Sequence, residues 1–371
     1  GTLCIIVSYT AIVSYQFKAG GRVLQLAFGI EEGQGMLIVA GFVIAFTAMA
    51  GMSSVAYVDL VAGTVVTVGC LLMFPALLNS AGGWSEVQRS LPESHFSPFG
   101  TMSVVKALSY FLTVFMLLLG NQSMYQKFFS ARSERTARLS VAGWMGGTLF
   151  LEITIVLLAI VGGTLAREHI EQGSLPPWGI IPYAARYGVV SWVGAFFLGA
   201  VFAKIISTGN NYLFSPATNV VHDIYQRFIN RQANDRAILI ASRATVVFLG
   251  ILAYLQAFQS SILETAVYAY DVYGAGITPV VLAAFFWKRA TPSGGLASIL
   301  AGTFMSVIWK VLGTFAPKTG SASNVLENLG LWVRDCPMIF PALAMSIICL
   351  VLVSLLTAPP ERKKWEPFFA S

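Results

Sequence analysis

The chain has 371 residues, of which 56% are hydrophobic and 11% are charged, and its formal net charge is +6. Soluble domains carry about 25% charged residues, so this composition excludes an ordinary soluble globular protein. The basic excess lies in short loops between apolar runs, where it orients a membrane protein, so we expect no nucleic-acid partner.

Ten apolar segments are long enough to cross a membrane as helices, which takes about 20 residues each. They are too long for barrel strands, and a helix satisfies its own backbone in the bilayer. They cover residues 2 to 18, 35 to 51, 60 to 81, 102 to 121, 141 to 164, 189 to 213, 237 to 257, 261 to 286, 295 to 315 and 336 to 358. We therefore predict an all-α polytopic membrane protein, with one transmembrane domain over residues 1–371 and a cytoplasmic tail over residues 359–371.

Lysine and arginine collect in the loops of one face, which we assign to the cytoplasm. The residues on this face are Lys127, Arg132, Arg135, Arg138, Arg227, Arg231, Arg236, Lys288, Arg289, Arg362, Lys363 and Lys364. The C-terminus is then cytoplasmic, and we predict a monomeric, multi-pass protein in the lipid bilayer of the cell membrane. The chain opens on apolar sequence, GTLCIIVSYT, without a methionine or a charged leader, so we expect it to begin inside a longer protein.

Ionisable residues at membrane depth are candidate functional residues, because inserting each one costs about 2.5–3.5 kcal/mol. Glu152, Lys204 and Asp271 lie inside predicted spans, and Asp59 lies near the cytoplasmic start of the third. Two other lysines, Lys106 and Lys310, lie close enough to span ends to reach the interface, so the prediction leaves them out.

The stretch FAKIISTGNN, residues 202–211, is an unusually polar patch within the sixth segment. The adjacent hydroxyls of Ser207 and Thr208, with the carbonyls of a broken helix, supply the oxygens that a hard monovalent cation such as sodium binds. Hydroxyls in membrane helices also bond to the carbonyl one turn earlier and serve packing alone. The residues by themselves leave both interpretations open.

Polar residues also end the fourth segment, in GNQSMYQK, residues 120–127. On a helix Asn121 and Tyr125 share one face, and Gln122 and Gln126 share another. Amides beside an aromatic ring fit a small polar solute, although such residues also occur where a helix meets lipid headgroups.

The stretch YAYDVYGAGITP, residues 268–279, combines Tyr268 and Asp271 with two glycines and a proline in one segment. This composition predicts a helix that bends or locally unwinds. It either lines a solute pathway or packs closely against its neighbours, and Asp271 favours the pathway because it must face something polar.

Four stretches together resemble the sodium/solute symporter family, which contains the proline, sialic acid and galactose symporters and the sodium/glucose cotransporters. They are AGMSSVAYVDLVAG, GNQSMYQKFFSARSERTARLS, ISTGNNYLFSPATNVVHDIYQRF and ITPVVLAAFFWKRATPSGGLASILAG. Their order and spacing agree with the family over nearly the whole chain.

The resemblance implies an inverted five-helix-repeat fold with a central solute site and a nearby sodium site. The ten segments would match the family's fourth to thirteenth helices. The first three helices of the family would then be missing from this sequence, including the broken helix that supplies further sodium and solute contacts.

By position, the resemblance makes Ser207 and Thr208 the paired sodium-binding hydroxyls and Asp59 a carboxylate involved in sodium coupling. Asn121 matches a solute-contacting position, with Gln122 and Tyr125 beside it. Glu152, Tyr268 and Asp271 lie on helices that border the solute site.

The sequence departs from the family at two positions. Lys204 stands where a small residue, whose carbonyl binds sodium, is usual, so Lys204 joins the predicted sodium site. Lys127 stands where arginine is usual, which preserves a cytoplasmic contact.

The function predicted is sodium-coupled symport of a small polar organic solute by alternating access, with sodium as the coupling ion and no organic cofactor. One alternative keeps the fold but makes transport proton-coupled or sodium-independent through the Lys204 ammonium. Another is a membrane solute sensor. No enzyme is predicted, because the three histidines lie far apart in loops without a nucleophile at catalytic spacing.

Overall fold

The computed structural model describes residues 1–49, 51–258, 261–315 and 325–369, and within these residues it is all helical. Residues 50, 370 and 371, which belong to a predicted span and to the predicted tail, lie outside this part of the chain. The helices are α1 Thr2–Phe28, α2 Glu32–Met49, α3 Met52–Ser80, α4 Trp84–Ser90, α5 Val104–Gly120, α6 Gln122–Phe129, α7 Glu134–Leu165, α8 Arg167–Glu171, α9 Ile180–Tyr187, α10 Ser191–Asn219, α11 Asp235–Gln256, α12 Ile262–Gly276, α13 Thr278–Phe286, α14 Pro292–Gly313, α15 Val325–Asp335, α16 Ile339–Leu356 and α17 Arg362–Phe369. Short 3₁₀ turns cover Glu93–Phe96 and Pro177–Gly179, and a π-helical segment, Val220–Ile229, continues α10.

The prediction of ten membrane-spanning segments is confirmed, since ten helical stretches of the described chain are long and apolar enough to cross a bilayer. The first stretch is longer than predicted, because α1 continues through KAGGR to Phe28. Glycines allow this continuation to pack closely against α2. A Cβ at Gly20 would lie 2.8 Å from Val39, and one at Gly21 would lie 2.8 Å from the backbone nitrogen of Met36.

Two of the ten spans are broken in the middle. The fourth span consists of α5 and α6, which are separated at Asn121 by extended backbone, with φ −63° and ψ 105°. The eighth consists of α12 and α13, which are separated at Ile277. The predicted bend within residues 268–279 is therefore confirmed.

A tyrosine bridges the break in the fourth span. The Tyr273 hydroxyl donates to the Gly120 carbonyl oxygen at 2.8 Å and accepts from the Gln122 backbone N–H at 3.2 Å. These groups would otherwise lack helical partners in a medium without water. Tyr273 therefore replaces the backbone hydrogen bonding that the break removes.

The two broken spans meet at Gly120. The Thr278 hydroxyl, at the start of α13, donates to the Met116 carbonyl oxygen at 2.7 Å. A Cβ at Gly120 would lie 2.2 Å from the same hydroxyl oxygen, so only glycine allows the helices to approach this closely here.

The contacts divide the described residues into two compact units. Unit 1 takes its residues from Gly1–Ile12, Met102–Gln122 and Ser260–Ser371, and unit 2 from Val13–Thr101 and Ser123–Gln259. The prediction of one transmembrane domain over residues 1–371 stays a prediction.

In unit 1, α12 lies against α5, α14 and α16, and α14 packs along α16. Serines pair where these last two helices meet, since the Ser298 and Ser346 hydroxyls lie 2.8 Å apart and both residues are fully buried. Small polar residues between helices, with large apolar ones outside, are typical of membrane bundles.

In unit 2, α10 lies against α2, α3, α9 and α11. The apolar core between α3, α7, α9 and α10 includes the buried Met73, Leu77, Leu158 and Phe197. Large apolar residues on other faces, such as Phe248 of α11, are exposed, as expected of helices that face lipid.

We expect Gly194→Ala to destabilise the protein by about 1–3 kcal/mol, because the new methyl group would overpack α9 against α10. Its Cβ would lie 1.7 Å from the Ala185 carbonyl oxygen. Gly199→Ala is the matched control in the same helix, because its Cβ would meet nothing within 4 Å. The measurement is the thermal unfolding midpoint of each purified variant. Equal midpoints for the two variants would contradict the packing.

We expect Tyr273→Phe to lower the free energy of unfolding by about 1–3 kcal/mol, because it leaves the polar groups of the α5–α6 break without their hydroxyl partner. Tyr57→Phe on α3 removes a hydroxyl from a side chain that is 71% exposed and serves as the control. Thermal unfolding in detergent compares the two. A Tyr273→Phe variant as stable as the control would show that the hydroxyl does not support the break.

Candidate functional site

The polar patch predicted in FAKIISTGNN forms one buried face of α10. Ser207 and Asn210 are fully buried and Asn211 is 9% exposed. Residues three and four positions apart share a helix face, which explains why these three side chains point the same way. The Thr47 hydroxyl donates to the Asn210 side-chain oxygen at 2.9 Å and so links α2 to this face.

Asp59 of α3 lies at the centre of a hydrogen-bonded cluster in unit 2. Its Oδ1 accepts from the Ser207 hydroxyl and, at 2.6 Å, from the Asn211 amide, while its Oδ2 pairs with the Lys127 ammonium. The structure thus brings together Ser207 and Asp59, two of the residues predicted for sodium. Charge-assisted hydrogen bonds and an ion pair offset part of the cost of burying a carboxylate.

Thr208 lies beside the cluster but bonds differently. Its hydroxyl donates to the Lys204 carbonyl oxygen at 2.9 Å, one turn back along α10, which is the bond expected of a hydroxyl that serves packing. The Lys204 side chain is exposed in the structure and forms no ion pair with any described residue of its unit. The described hydrogen bond between Lys204 and the predicted sodium residues is made by its backbone carbonyl oxygen, which accepts from Thr208.

The ammonium that contacts Asp59 belongs to Lys127, for which the sequence predicted only a cytoplasmic contact. The sequence did contain a signal for this ion pair. Asp59 lies near the predicted cytoplasmic start of the third span and Lys127 at the cytoplasmic end of the fourth, so both were predicted at a similar depth. Opposite charges at one depth in a membrane protein tend to pair.

Gln126, which belongs to the polar run at the end of the fourth predicted span, bonds to α10. Its amide nitrogen donates to the Thr218 hydroxyl at 3.1 Å, and its amide oxygen accepts from Ser215 at 3.0 Å. These bonds fasten α6 to the last turns of α10. The Lys127 and Gln126 contacts together fix α6 within unit 2.

Tyr125 and Glu152, which are also predicted to contact the solute, belong to unit 2. Tyr125 stacks on Phe129 with ring centroids 6.0 Å apart. Glu152 is exposed on α7, next to the exposed Ile153. Their predicted solute contacts stay predictions.

In unit 1, Asn121 lies at the break in the fourth span. Its side-chain oxygen accepts from the Tyr9 hydroxyl at 3.3 Å, and Asn121 is 4% exposed. Tyr9 in turn stacks on Tyr273 with ring centroids 5.1 Å apart. The bridge that holds the break therefore also positions Asn121, and the backbone of the neighbouring Gln122 is part of it.

Tyr268 and Asp271 line one cavity of about 560 Å³ in unit 1. Asp271 is 3% exposed, and the Thr113 hydroxyl donates to its Oδ1 at 2.5 Å. Lys106 and Lys310, which the prediction left out, line the same cavity. The structure therefore brings two of the predicted solute residues together in one cavity, whose lining also contains Arg334 and Glu264.

Comparison with known proteins agrees with this architecture. The profile of the sodium:solute symporter family matches residues 1–302. The high-affinity proline transporter PutP of Bacillus subtilis is 27% identical over 99% of this chain and 74% of its own length. The sodium/proline symporter of Haemophilus influenzae is 25% identical over 96% and 70%.

A solved structure shows the same fold. It is a substrate-bound, outward-open state of a Na⁺-coupled sialic acid symporter, with a TM-score of 0.71 and 18% identity. The match covers 97% of this chain and 74% of that one. The resemblance found in the sequence is thus confirmed. The chain belongs to the sodium:solute symporter family, and it is a sodium-coupled carrier of a small solute and not an enzyme.

Proposed function

We propose that the protein carries a small polar organic solute into the cell together with sodium, by alternating access, and that Ser207 and Thr208 bind the coupling sodium. The observation that carries this proposal is the group of oxygens around these two hydroxyls. The Asp59 carboxylate bonds to Ser207, and the Lys204 carbonyl oxygen lies 2.9 Å from the Thr208 hydroxyl. Oxygen ligands at membrane depth are what a sodium ion needs when it leaves water.

The hydrogen bonds of unit 2 suggest how sodium binding is coupled to the solute. Ser207 ties α10 to Asp59 of α3, and Asp59 ties α3 to Lys127 of α6. Helix α6 begins one residue after Asn121, the candidate solute contact at the break. A sodium ion that binds the Ser207 oxygen would change the hydrogen bond from Ser207 to Asp59. Because Asp59 also pairs with Lys127, this change would affect the ion pair that holds α6 to α3.

The proposal includes a solute site that contains Asn121, Gln122, Tyr125, Glu152, Tyr268 and Asp271. The support is strongest for Asn121 and Asp271, because both are buried polar side chains in a membrane protein. Two relatives described above are named as proline carriers, so L-proline is the first solute to test.

We place the protein in the cell membrane as a monomer with a cytoplasmic C-terminus. The support is the collection of lysine and arginine in the loops after α6 and α10, before α14 and in α17. Positive residues are enriched in cytoplasmic loops of membrane proteins.

We expect Ser207→Ala and Thr208→Ala each to raise the sodium concentration for half-maximal uptake by about tenfold or more, because each removes one oxygen ligand. Thr208→Ser keeps the hydroxyl and should retain the normal sodium dependence. The measurement is solute uptake into proteoliposomes over a range of external sodium concentrations.

Ser298→Ala is the control for these variants, since Ser298 is equally buried but pairs with Ser346 in unit 1. If Ser207→Ala and Thr208→Ala show the sodium dependence of this control, sodium binds elsewhere.

We expect Lys204→Ala to keep its sodium requirement and to change the sodium dependence by less than about threefold, because the carbonyl of residue 204 remains in place. Uptake in sodium medium is compared with uptake in choline medium. The alternative coupling through Lys204 makes the opposite prediction. It requires uptake that persists in choline for the unmodified protein and a new sodium requirement in Lys204→Ala.

A further inference from the structure

The ends of two membrane-spanning stretches in unit 1 combine exposed apolar residues with basic ones. The stretches Ile262–Phe286 and Ile339–Leu356 are both long and apolar enough to cross a bilayer. Their last residues, Phe286 and Leu356, are 78% and 85% exposed, so we expect both to face lipid. Basic residues follow each stretch closely, namely Lys288 and Arg289 after the first and Arg362 and Lys363 after the second.

The guanidinium of Arg289 holds these two ends together. It donates to the carbonyl oxygens of Ser354 at 2.5 Å, Leu355 at 3.2 Å and Thr357 at 2.8 Å. The last carbonyls of a helix have no partner within that helix, and a nearby basic side chain can supply one. Arg289 thus fastens the segment after α13 to the end of α16, and its hydrogen bonds are made inside the protein.

Helix α17 brings an aromatic ring and a further cation to the same end. The Lys288 ammonium lies 5.2 Å from the centroid of the Trp365 ring, which is a cation–π contact. Arg362 lies three residues before Trp365 on α17 and therefore shares its face of the helix. Lys288 and Arg362 are both exposed. Two exposed cations thus accompany a tryptophan, the residue that is typical of the depth at which lipid headgroups begin.

Arg362 has a partner that a ligand can replace. Its guanidinium lies 2.9 Å from the Glu366 carboxylate, one turn later on α17, and the two side chains are 76% and 43% exposed. An exposed ion pair of this kind contributes little stability. A phosphate group matches the guanidinium with two parallel hydrogen bonds, so an anionic ligand can take the place of Glu366.

The chemistry of this end selects both parts of its partner. Residues 287–290 contain two basic residues and no acidic one, and residues 357–369 contain three basic and two acidic ones. The excess of positive charge favours an anion. A soluble anion or an acidic peptide would pair with these charges and leave Phe286 and Leu356 uncovered, whereas a phospholipid supplies both a phosphate and an acyl chain.

We propose that this end of unit 1 binds an anionic phospholipid, with the headgroup phosphate at Lys288 and Arg362, beside Trp365, and an acyl chain along Phe286 and Leu356. Phosphatidylglycerol has the required net negative headgroup. Phosphatidylcholine does not, because its headgroup carries its own cation. The inference concerns a surface outside the proposed sodium and solute sites and does not rest on transport.

The test titrates lipid into the purified full chain in detergent and follows the thermal unfolding midpoint, because a bound ligand raises that midpoint. Phosphatidylglycerol is compared with phosphatidylcholine that has the same acyl chains. We expect phosphatidylglycerol to reach half of its maximal shift at a concentration at least about tenfold lower. Inorganic phosphate and a polyglutamate peptide represent soluble anions, and neither should shift the midpoint.

A pair of double variants locates the site. Lys288→Gln combined with Arg362→Gln should weaken phosphatidylglycerol binding by about tenfold or more and remove the preference over phosphatidylcholine. Arg132→Gln combined with Arg135→Gln is the matched control. It removes two exposed basic residues between the end of α6 and the first turn of α7, and it should leave the preference intact.

Glu366→Gln tests the site without removing a basic residue. It releases Arg362 from its ion pair, so we expect it to tighten phosphatidylglycerol binding by about threefold. This gain of binding keeps the test decisive if the Lys288 and Arg362 double variant does not fold.

The inference is overturned if phosphatidylcholine binds as well as phosphatidylglycerol, or if Glu366→Gln binds no more tightly than the unmodified chain. Equal losses in the two double variants would also overturn it, because they would show a response to total charge. A shift produced by inorganic phosphate or by the peptide would assign the charges to a soluble anion instead. The measurement uses neither a sodium gradient nor a solute, so its outcome is independent of the proposed function.

Discussion

Every polar group that is buried in a membrane must find its partner inside the protein, because the lipid offers none. At the break in the fourth span, where backbone groups lose their helical partners, a single side chain meets this requirement. The Tyr273 hydroxyl bonds to both sides of the break, and Tyr9 stacks on the same ring while it bonds to Asn121. An interrupted helix, and the polar backbone that an interrupted helix offers to a solute, are possible here because of that bridge.

The same requirement explains the Asp59 cluster. Three donors from α6 and α10 surround the carboxylate, and one of them is the Lys127 ammonium. An ion pair of this kind contributes little net stability relative to apolar packing. Removing one partner destabilises the protein strongly, because the other charge is left buried without a counterion. Such a cluster suits a protein that must exchange partners during a cycle. In the proposed function, a sodium ion at Ser207 would change the hydrogen bonding of Asp59 without leaving the carboxylate unpaired, because Lys127 remains.

Family membership and the cavity chemistry address different questions. The match to the sodium:solute symporter family over residues 1–302 establishes the transporter class, and the fold shared with a sialic acid symporter at 18% identity establishes the architecture. Neither one identifies the solute, because members of a fold differ in their sites. The cavity around Asp271 has a charged lining, and its chemistry follows from its own residues.

The sequence by itself determined the ten spans, the unwinding before Pro279 and the polar face of α10, because all three follow from local composition and helical periodicity. It could not show that Lys127 contacts Asp59, that Tyr273 bridges the Gly120–Gln122 break, or that Lys106 and Lys310 face Asp271's cavity. Each of these depends on which helices lie side by side. Asp59 and Lys127 are 68 positions apart and Tyr273 and Gly120 are 153 apart. Hydrophobic periodicity contains no information about which helix becomes the neighbour of another.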